Sequence, residues 1–122
     1  MPGESQCKGR WAEQQAQRQL EAQGWRLLDR NWRCRWGELD LVLMRRKALL
    51  VVEVKGRRPG SRDRHGLDAF HAAKRRRMAR AISCWRVAHP ELAEQLLRVR
   101  LALVPLLQSR GTIRWIDVER LC

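Results

Sequence analysis

The sequence has no long apolar run, no closely spaced cysteine pair and no glycine-rich nucleotide-binding motif. Without about 20 consecutive apolar residues it lacks a membrane-spanning helix, and its charged amino terminus lacks the apolar segment of a signal peptide. The absence of a P-loop, a dinucleotide fingerprint and a nucleophile elbow removes support for nucleotide hydrolysis and serine hydrolase chemistry. We therefore expect a cytoplasmic protein of another functional class.

The sequence also lacks the cysteine and histidine spacing of a zinc site and the context of a disulfide framework. The four cysteines are scattered and include no C-x-x-C pair: Cys7, Cys34, Cys84 and Cys122. This spacing disfavours a zinc knuckle, and a disulfide scaffold lacks its secretory context, so we expect reduced thiols. The histidines show no metal-ligand spacing either. His65 is a candidate for proton transfer, although a surface histidine is the simpler interpretation.

Positive charge is abundant. The chain has 26 Lys and Arg residues against 13 Asp and Glu residues, a net charge of +13, and a pI near 11.4. A field of this size attracts polyanions, of which nucleic acid is the commonest. The alternatives are a ribosome-associated protein, an acidic membrane surface or a protein partner. Charge thus indicates a partner, with nucleic acid as the first expectation, and it indicates no particular chemistry.

The pattern of apolar residues predicts one domain over residues 1–122, with residues 1–8 as a loose start. Helices are predicted over 9–23 and 67–88, strands over 25–32, 38–45, 48–55, 99–107 and 112–118, and a charged loop over 57–68. The second helix carries Phe70, Met78, Ala81, Ile82 and Trp85 along one face. This order predicts an α/β fold with one mixed sheet flanked by helices.

Charged residues interrupt the apolar strands of the central hairpin. Strand alternation puts Glu38 and Asp40 on one face of the first strand, and Glu53 and Lys55 on one face of the second. If the turn is centred between residues 46 and 47, Asp40 lies opposite Glu53, and Glu38 opposite Lys55, with roughly 4.5–5.5 Å between opposed Cβ atoms. A one-residue slip would separate the two acids. The other face of the first strand carries Leu39, Leu41 and Leu43.

Two carboxylates this close repel each other unless a positive charge neutralises them. Lys55 supplies one charge and a divalent ion would supply more, because Mg²⁺ prefers a few carboxylate oxygens and retains waters. A water activated by the metal and oriented by Lys55 could attack a phosphodiester. The alternative is a cross-strand ladder of salt bridges on an exposed sheet face. The apolar runs around Asp40 and Glu53 favour the metal site, but spacing alone leaves both interpretations open.

The hairpin residues resemble a known family. Gly37-Glu38-Leu39-Asp40-Leu41-Val42, followed by Leu50-Val51-Val52-Glu53-Val54-Lys55-Gly56-Arg57, is similar to the core signature of the YraN family of bacterial proteins. The resemblance extends over most of the chain. It includes Glu13 with Ala16 and Leu20 in the first helix, and Gly24, Asn31, Gly66 and Lys74. That family resembles the restriction-endonuclease-like superfamily of metal-dependent nucleases, and especially the archaeal Holliday junction resolvases.

The resemblance implies a restriction-endonuclease-like mixed β-sheet flanked by α-helices, and a role for each matching residue. Asp40 and Glu53 would bind Mg²⁺ or Mn²⁺, Lys55 would contact the nucleophilic water, and Glu13 would be a further acid near the metal. Glu38 matches the motif without an assigned role. The implied activity is hydrolysis of phosphodiesters in DNA, with branched or structured DNA as the expected substrate class. The alternative is a non-catalytic nucleic-acid-binding module. The resolvase resemblance also makes a homodimer reasonable, because a two-fold junction suits a two-fold enzyme.

Two departures from the family pattern leave the local geometry open. Ala12 stands where the family usually has Gly, and Arg98-Val99-Arg100 replaces the usual Arg-Phe-Asp. Neither departure removes a predicted metal ligand.

Basic segments next to this hairpin are candidates for binding nucleic acid through phosphates. They comprise Arg57 and Arg58 after the second strand, and Lys74, Arg75 and Arg76, continued by Arg77 and Arg80, in the second helix. The alternative for the helical run is a solvated face. Trp36 could stack on an unpaired base, whereas core packing is the expectation for Trp25, Trp85 and Trp115.

Overall fold

The computed structural model describes residues 4–57, 71–106 and 112–121. Helix α1 spans Glu4–Ala22 and helix α2 spans Ala72–Ala88. The strands are β1 (Arg26–Cys34), β2 (Gly37–Arg45), β3 (Ala48–Arg57), β4 (Leu96–Pro105) and β5 (Arg114–Asp117). A single 3-10 turn, Pro90–Leu92, follows α2. In the described ranges no helix has the length and apolar character needed to cross a membrane.

The five strands form one mixed sheet whose spatial order follows the chain, β1-β2-β3-β4-β5. Neighbouring strands are antiparallel except β3 and β4, which are parallel. A parallel pair needs a crossover connection, and the segment that contains α2 supplies it. The predicted α/β fold is therefore confirmed, and a mixed sheet with two helices is consistent with restriction-endonuclease-like architecture.

Each face of the sheet packs against one helix. On one face, Leu49 and Val51 belong to a cluster with Met78, Ile82 and Trp85 of α2. On the other face, the alternate residues Leu50 and Val52 pack with Ala12, Ala16 and Leu20 of α1. The central strands are covered on both faces, which explains why they read as continuous apolar runs. The predicted buried stripe of α2 is confirmed from Met78 onwards, and Phe70 lies outside the described residues.

The element boundaries differ from the predictions mainly at their ends. The described part of the second helix begins at Ala72, and its predicted first turn lies outside the described residues. The fourth strand begins at Leu96, three residues earlier than predicted, because its backbone pairs in parallel with β3 from Ala48 onwards. Leu96 and Leu97 are exposed, so burial gave no signal for this extension. The predicted loop 57–68 lies outside the described residues except for Arg57, which ends β3.

The side chains of β2 stop alternating regularly between the two faces of the sheet near Asp40. Leu41 and Leu43 pack on the α1 side as alternation predicts, but Leu39 packs on the α2 side. The prediction that Leu39 shares their face was therefore wrong. The reason lies in the neighbouring strand, where Asn31 adopts a left-handed conformation with φ of 53° between the pairs Arg30–Leu41 and Trp32–Leu39. A residue with positive φ turns the side chains on either side of it out of regular alternation.

Candidate metal centre

The ladder between β2 and β3 ends just before the acidic residues. The pairing follows the predicted register from Arg45–Ala48 to Leu41–Val52, and it stops there. Beyond it, Asp40 accepts a hydrogen bond on Oδ2 from the backbone nitrogen of Val54 at 2.8 Å. The predicted ladder pairs Asp40–Glu53 and Glu38–Lys55 are therefore wrong, because the Asp40 carboxylate occupies the hydrogen-bonding position that a backbone carbonyl would fill.

Three carboxylates from two elements converge at this opening. Glu13 of α1 and Glu38 and Asp40 of β2 each offer a carboxylate oxygen, and these oxygens all lie within 4.8 Å of one another. Glu13 is 9% exposed and stands on the helix face that also carries Ala12 and Ala16. Helix α1 thus places an acid at the open end of the β2–β3 hairpin, on the same helix face that packs against the sheet.

An amide lies between two of these acids. With the Asn31 amide oriented so that donors face acceptors, its nitrogen donates to Glu13 Oε2 and to Glu38 Oε1, each at 2.8 Å. Arg33 of the same strand lies 3.6 Å from Glu38 Oε2, and it is largely exposed. The left-handed backbone of Asn31 thus has a local role, because it places a neutral donor between two carboxylates.

The electrostatics of the cluster favour protonated acids. Burial, followed by the charge of Glu53, raises the pKa of Asp40 to about 8, although the hydrogen bond from Val54 opposes this shift. Burial also raises the pKa of Glu13, while Asn31 and Arg30 lower it and the charges of Glu38 and Glu53 raise it. A raised carboxyl pKa means that the ionised form lacks full compensation by its surroundings. The described cluster therefore carries more acid than its own cations neutralise.

Glu53 has a partner that the sequence did not predict. Its Oε1 lies 2.5 Å from Nζ of Lys74 in α2, and the two side chains are 13% and 37% exposed. The helix begins just before this lysine, where His71 Nδ1 accepts a hydrogen bond from the Lys74 backbone nitrogen at 3.3 Å. Lys55, predicted to serve the same acid cluster, is exposed.

A cavity of about 280 Å³ connects these groups. Asp40, Glu38 and Glu53 contribute to one wall, and Lys74 and Arg77 of α2 contribute to the other. Trp36 and Gly37 close it on the side of the β1–β2 turn. Acids and cations therefore face each other across a space that is large enough for a phosphate group.

The predicted nucleic-acid-binding residues have different positions. Arg57 ends β3 and is half-buried, and Arg58 lies outside the described residues. On α2, Arg76 is exposed, whereas Nε of Arg75 is buried without a hydrogen-bond partner in the described part of the chain. Lys74 is engaged with Glu53, so its predicted contact with phosphate would be shared with a carboxylate.

Several other candidates are structural in the described residues. Trp25 and Trp85 are buried as predicted, and Trp115 packs at the edge of the α1-side cluster. Asp29 accepts a hydrogen bond from Trp85 Nε1 at 2.7 Å, and His89 stacks on the same indole at 3.8 Å between ring centroids. Cys34 and Cys84 are free thiols, in line with the prediction, whereas His65 lies outside the described residues.

The two departures from the family pattern have simple structural consequences. Ala12 is fully buried against the sheet next to Glu13. Arg100 pairs across the sheet with Asp117, at 2.9 Å between Nε and Oδ1. Both residues serve packing or strand pairing, and neither disturbs the acid cluster.

The fold and the acid cluster define an α/β protein with a carboxylate-lined cavity at the open end of a β-hairpin. The family model described as "Uncharacterised protein family UPF0102" matches residues 12–105. The chain is 58% identical over 116 residues to a UPF0102 protein of Synechococcus sp. (strain CC9902), covering 95% of this chain and 96% of that protein. It is 50% identical to one of Prochlorococcus marinus (strain MIT 9303), covering 97% and 94%. The chain belongs to the UPF0102 family, which confirms the YraN-like resemblance.

Sequence reasoning missed the role of Asn31 and the contact of Lys74 with Glu53, although both residues fall at positions of the family pattern and Lys74 was a candidate for binding phosphate. Asn31 looked like one polar residue in a strand, and only its family position and the frequent left-handed conformation of asparagine could have marked it. Lys74 looked like the first residue of a basic run. Its distance of 21 positions from Glu53 along the chain hid their contact, which depends on how α2 crosses the sheet.

Proposed function

We propose that this protein is a Mg²⁺- or Mn²⁺-dependent endonuclease that hydrolyses phosphodiesters in DNA, with branched or structured DNA as the first class to test. The observation that carries the proposal is the convergence of Glu13, Glu38 and Asp40, whose carboxylate oxygens lie within 4.8 Å of one another. Glu53 lines the same cavity as two of them. Metal-assisted hydrolysis of a phosphodiester uses such a concentration of hard oxygen ligands.

The donor set fits a small divalent cation. Carboxylate oxygens are the protein ligands that Mg²⁺ and Mn²⁺ prefer. The raised pKa values of Asp40 and Glu13 indicate uncompensated negative charge, which a divalent cation would relieve. When bound, such an ion supplies Lewis-acid stabilisation of phosphoryl oxygens and acidifies a coordinated water. We assign Asp40 and Glu53 as the principal ligands, and Glu13 and Glu38 as further acids of the same centre.

The chain's own residues would orient the reacting groups. Val54 donates to Asp40 from the backbone and holds one carboxylate oxygen in place. Lys74 restrains Glu53 and brings an ammonium group to the cavity wall. Two lysines can therefore contact the attacking water: Lys74, which already lies in the cavity, and Lys55, which the family resemblance implies. Arg77, on the same wall, can bind the phosphate without reading a base.

Cleavage assays on a panel of DNAs test the proposal. Duplex, flap and four-way-junction DNAs are incubated with the purified protein and Mg²⁺ or Mn²⁺, and cleavage is expected on at least one of them. Asp40→Asn and Glu53→Gln should lower the rate by about 100-fold or more, since each removes a charged ligand. Glu94→Gln is the matched control, because Glu94 is exposed and lies away from the cavity. Equal rates for all four proteins would show that a contaminant cuts the DNA, and no cleavage of any DNA would count against the enzyme.

A non-catalytic nucleic-acid-binding module is the second candidate. It is favoured because two of the acids are already neutralised without a metal. Lys74 pairs with Glu53, and a pKa of about 8 keeps most Asp40 protonated at neutral pH. In that case the acids are part of the folded structure without binding a metal. DNA binding that is unchanged in Asp40→Asn and Glu53→Gln, together with no heat of Mg²⁺ or Mn²⁺ binding in calorimetry, would support this candidate over the nuclease.

A further inference from the structure

The turn between β1 and β2 holds an aromatic ring at the rim of the acid cavity. Cys34 pairs with Gly37, so Arg35 and Trp36 form the two-residue tip of the hairpin. The Trp36 backbone nitrogen donates to Cys34 Sγ at 3.4 Å, and Gly37 has a φ of 137°, which favours glycine. The tip is thus fixed relative to β2, the strand that carries Glu38 and Asp40.

Two guanidinium groups lie against this ring. Arg35 Cζ is 4.6 Å and Arg80 Cζ is 4.5 Å from the Trp36 ring centroid. A guanidinium group that stacks on an aromatic face keeps its charge and its in-plane N–H donors. Both arginines are exposed, and neither forms an ion pair with a described carboxylate. Their donors are therefore available to an anion from outside the chain.

Helix α2 sets the distance between this pair of arginines and the acids, because it contacts both parts of the site. Lys74 reaches Glu53, and Arg80 reaches Trp36 six residues later. Six residues of α-helix span about 9 Å. Phosphates of one DNA strand rise only about 3.4 Å each along the duplex axis, so a neighbour of the phosphate at the acids can lie within reach of side chains about 9 Å away. A strand whose phosphate meets the acids would present another phosphate to Arg35 and Arg80.

We propose that Arg35, Trp36 and Arg80 form a phosphate clamp, in which the indole holds two guanidinium groups ready for a backbone phosphate that neighbours the one at the acid cavity. The proposal rests on the proposed function for the position of that second phosphate. The clamp would supply positive charge where it is required, because a cavity rich in carboxylates repels a phosphodiester. Paired cations at the rim offset that repulsion before the strand reaches the acids.

The same observations disfavour base stacking on Trp36. Two guanidinium groups lie against the indole, and the ring also packs on the α2-side cluster. A base would have to displace one of these neighbours. The partner of the clamp is therefore the sugar–phosphate backbone, which makes its contribution independent of sequence and sensitive to salt.

Equilibrium binding in EDTA tests the clamp without relying on cleavage. The full chain is titrated with a labelled duplex and a labelled single strand of the same sequence over a series of salt concentrations. For the double variant Arg35→Ala/Arg80→Ala we expect about tenfold weaker duplex binding, and a slope of log K against log salt that is smaller by about 1, since the clamp holds one phosphate and each lost phosphate contact removes about 0.9. Trp36→Phe should retain both values, because phenylalanine keeps an aromatic face.

Arg18→Ala is the matched control, since Arg18 is an exposed arginine of α1 on the opposite side of the sheet. An unchanged slope in the double variant would overturn the clamp. So would a Trp36→Ala protein that melts like the wild type, keeps its slope and loses single-strand binding alone, because that result indicates base stacking. If the slope falls as expected but no DNA is cleaved with metal, the clamp stands and the proposed nuclease function fails.

Discussion

At Asp40 three main influences act on one carboxyl group, and the third opposes the other two. Burial and the nearby charge of Glu53 disfavour ionisation, whereas the hydrogen bond from Val54 favours it. The first two dominate, since the pKa reaches about 8 against 3.8 for an unperturbed aspartate. Such a side chain costs stability at neutral pH, and a protein retains costly groups mainly where they serve a site.

This shift gives a pH-dependent stability with a defined sign. In EDTA the unfolded chain loses the Asp40 proton near pH 4, whereas the folded chain keeps it up to about pH 8. The free energy of unfolding should therefore fall between those pH values. Asp40→Asn lacks this loss. In urea unfolding, the free energy of unfolding of Asp40→Asn should therefore increase relative to that of the wild type as pH rises, by at most about 6 kcal/mol.

Asp117→Asn serves as the control for that measurement, because Asp117 is a largely exposed aspartate at the sheet edge. The decrease attributed to Asp40 should persist in this variant, because the substitution leaves Asp40 and its surroundings unchanged. Parallel profiles for Asp40→Asn and the wild type would contradict a raised pKa at Asp40.

The Lys74–Glu53 pair should be measurably stabilising. Glu53 is 13% exposed and Lys74 is 37% exposed, so solvent screens the pair only in part. A double-mutant cycle with Lys74→Met and Glu53→Gln in chemical denaturation should give an interaction free energy of about 1–2 kcal/mol. The comparison pair Arg100–Asp117 has one partner 67% exposed, and we expect it to give less. An interaction free energy near zero for Lys74–Glu53 would mean that solvent screens it fully.

Single residues were predictable where an acid interrupts an apolar run. Asp40 and Glu53 were selected in this way, and both line the cavity. Glu13 came from the family resemblance alone, because one glutamate in an amphipathic helix carries no signal of its own. The Lys74–Glu53 contact and the left-handed Asn31 depend on tertiary packing and backbone geometry that local spacing does not encode.

At the level of elements, the hairpin of β2 and β3 was predictable and its open end was not. The turn position set the register, and the observed pairs follow it up to Leu41–Val52. Alternation then predicted two further pairs, Asp40–Glu53 and Glu38–Lys55, whereas the Asp40 carboxylate accepts a hydrogen bond from a backbone N–H at that point. Periodicity describes a regular ladder, so it fails where the ladder opens, and here it opens at the candidate site.

Strand β3 continues past this opening, and Gly56 shows how closely its end is packed. A Cβ at Gly56 would lie 2.8 Å from Leu106 Cδ1 and 3.0 Å from its Cγ, and Leu106 is buried. Gly56→Ala should therefore destabilise the protein by about 1–3 kcal/mol through overpacking. Gly9→Ala is the matched control, since a Cβ there meets nothing within 4 Å in helix α1, and it should stabilise by roughly 0.5–1 kcal/mol. Thermal unfolding of both variants measures the contrast, and equal melting temperatures would contradict it.

For the whole molecule, the dominant property is a net charge of +13 combined with a local concentration of acids. Like charges on the surface repel in the compact state and attract polyanions. Ligands that bind only the folded chain raise its melting temperature. Duplex DNA and heparin should therefore both raise it at low salt, and the gain should disappear at high salt as the charges are screened. Neutral dextran is the control, and a gain that survives high salt would indicate contacts other than charge.

Because of its hydrogen bond to Asp40, the backbone amide of Val54 also reports the protonation state of that carboxyl group. Because the donor is bonded to the carboxyl group itself, the ¹H and ¹⁵N resonances of Val54 should shift as Asp40 titrates, with a midpoint near pH 8 in EDTA. Val52, whose pairing with Leu41 lies within the regular ladder, should shift much less. Adding Mg²⁺ at constant pH would move the Val54 resonances if the ion binds Asp40. The state of a buried acid can thus be followed by NMR in the unmodified protein.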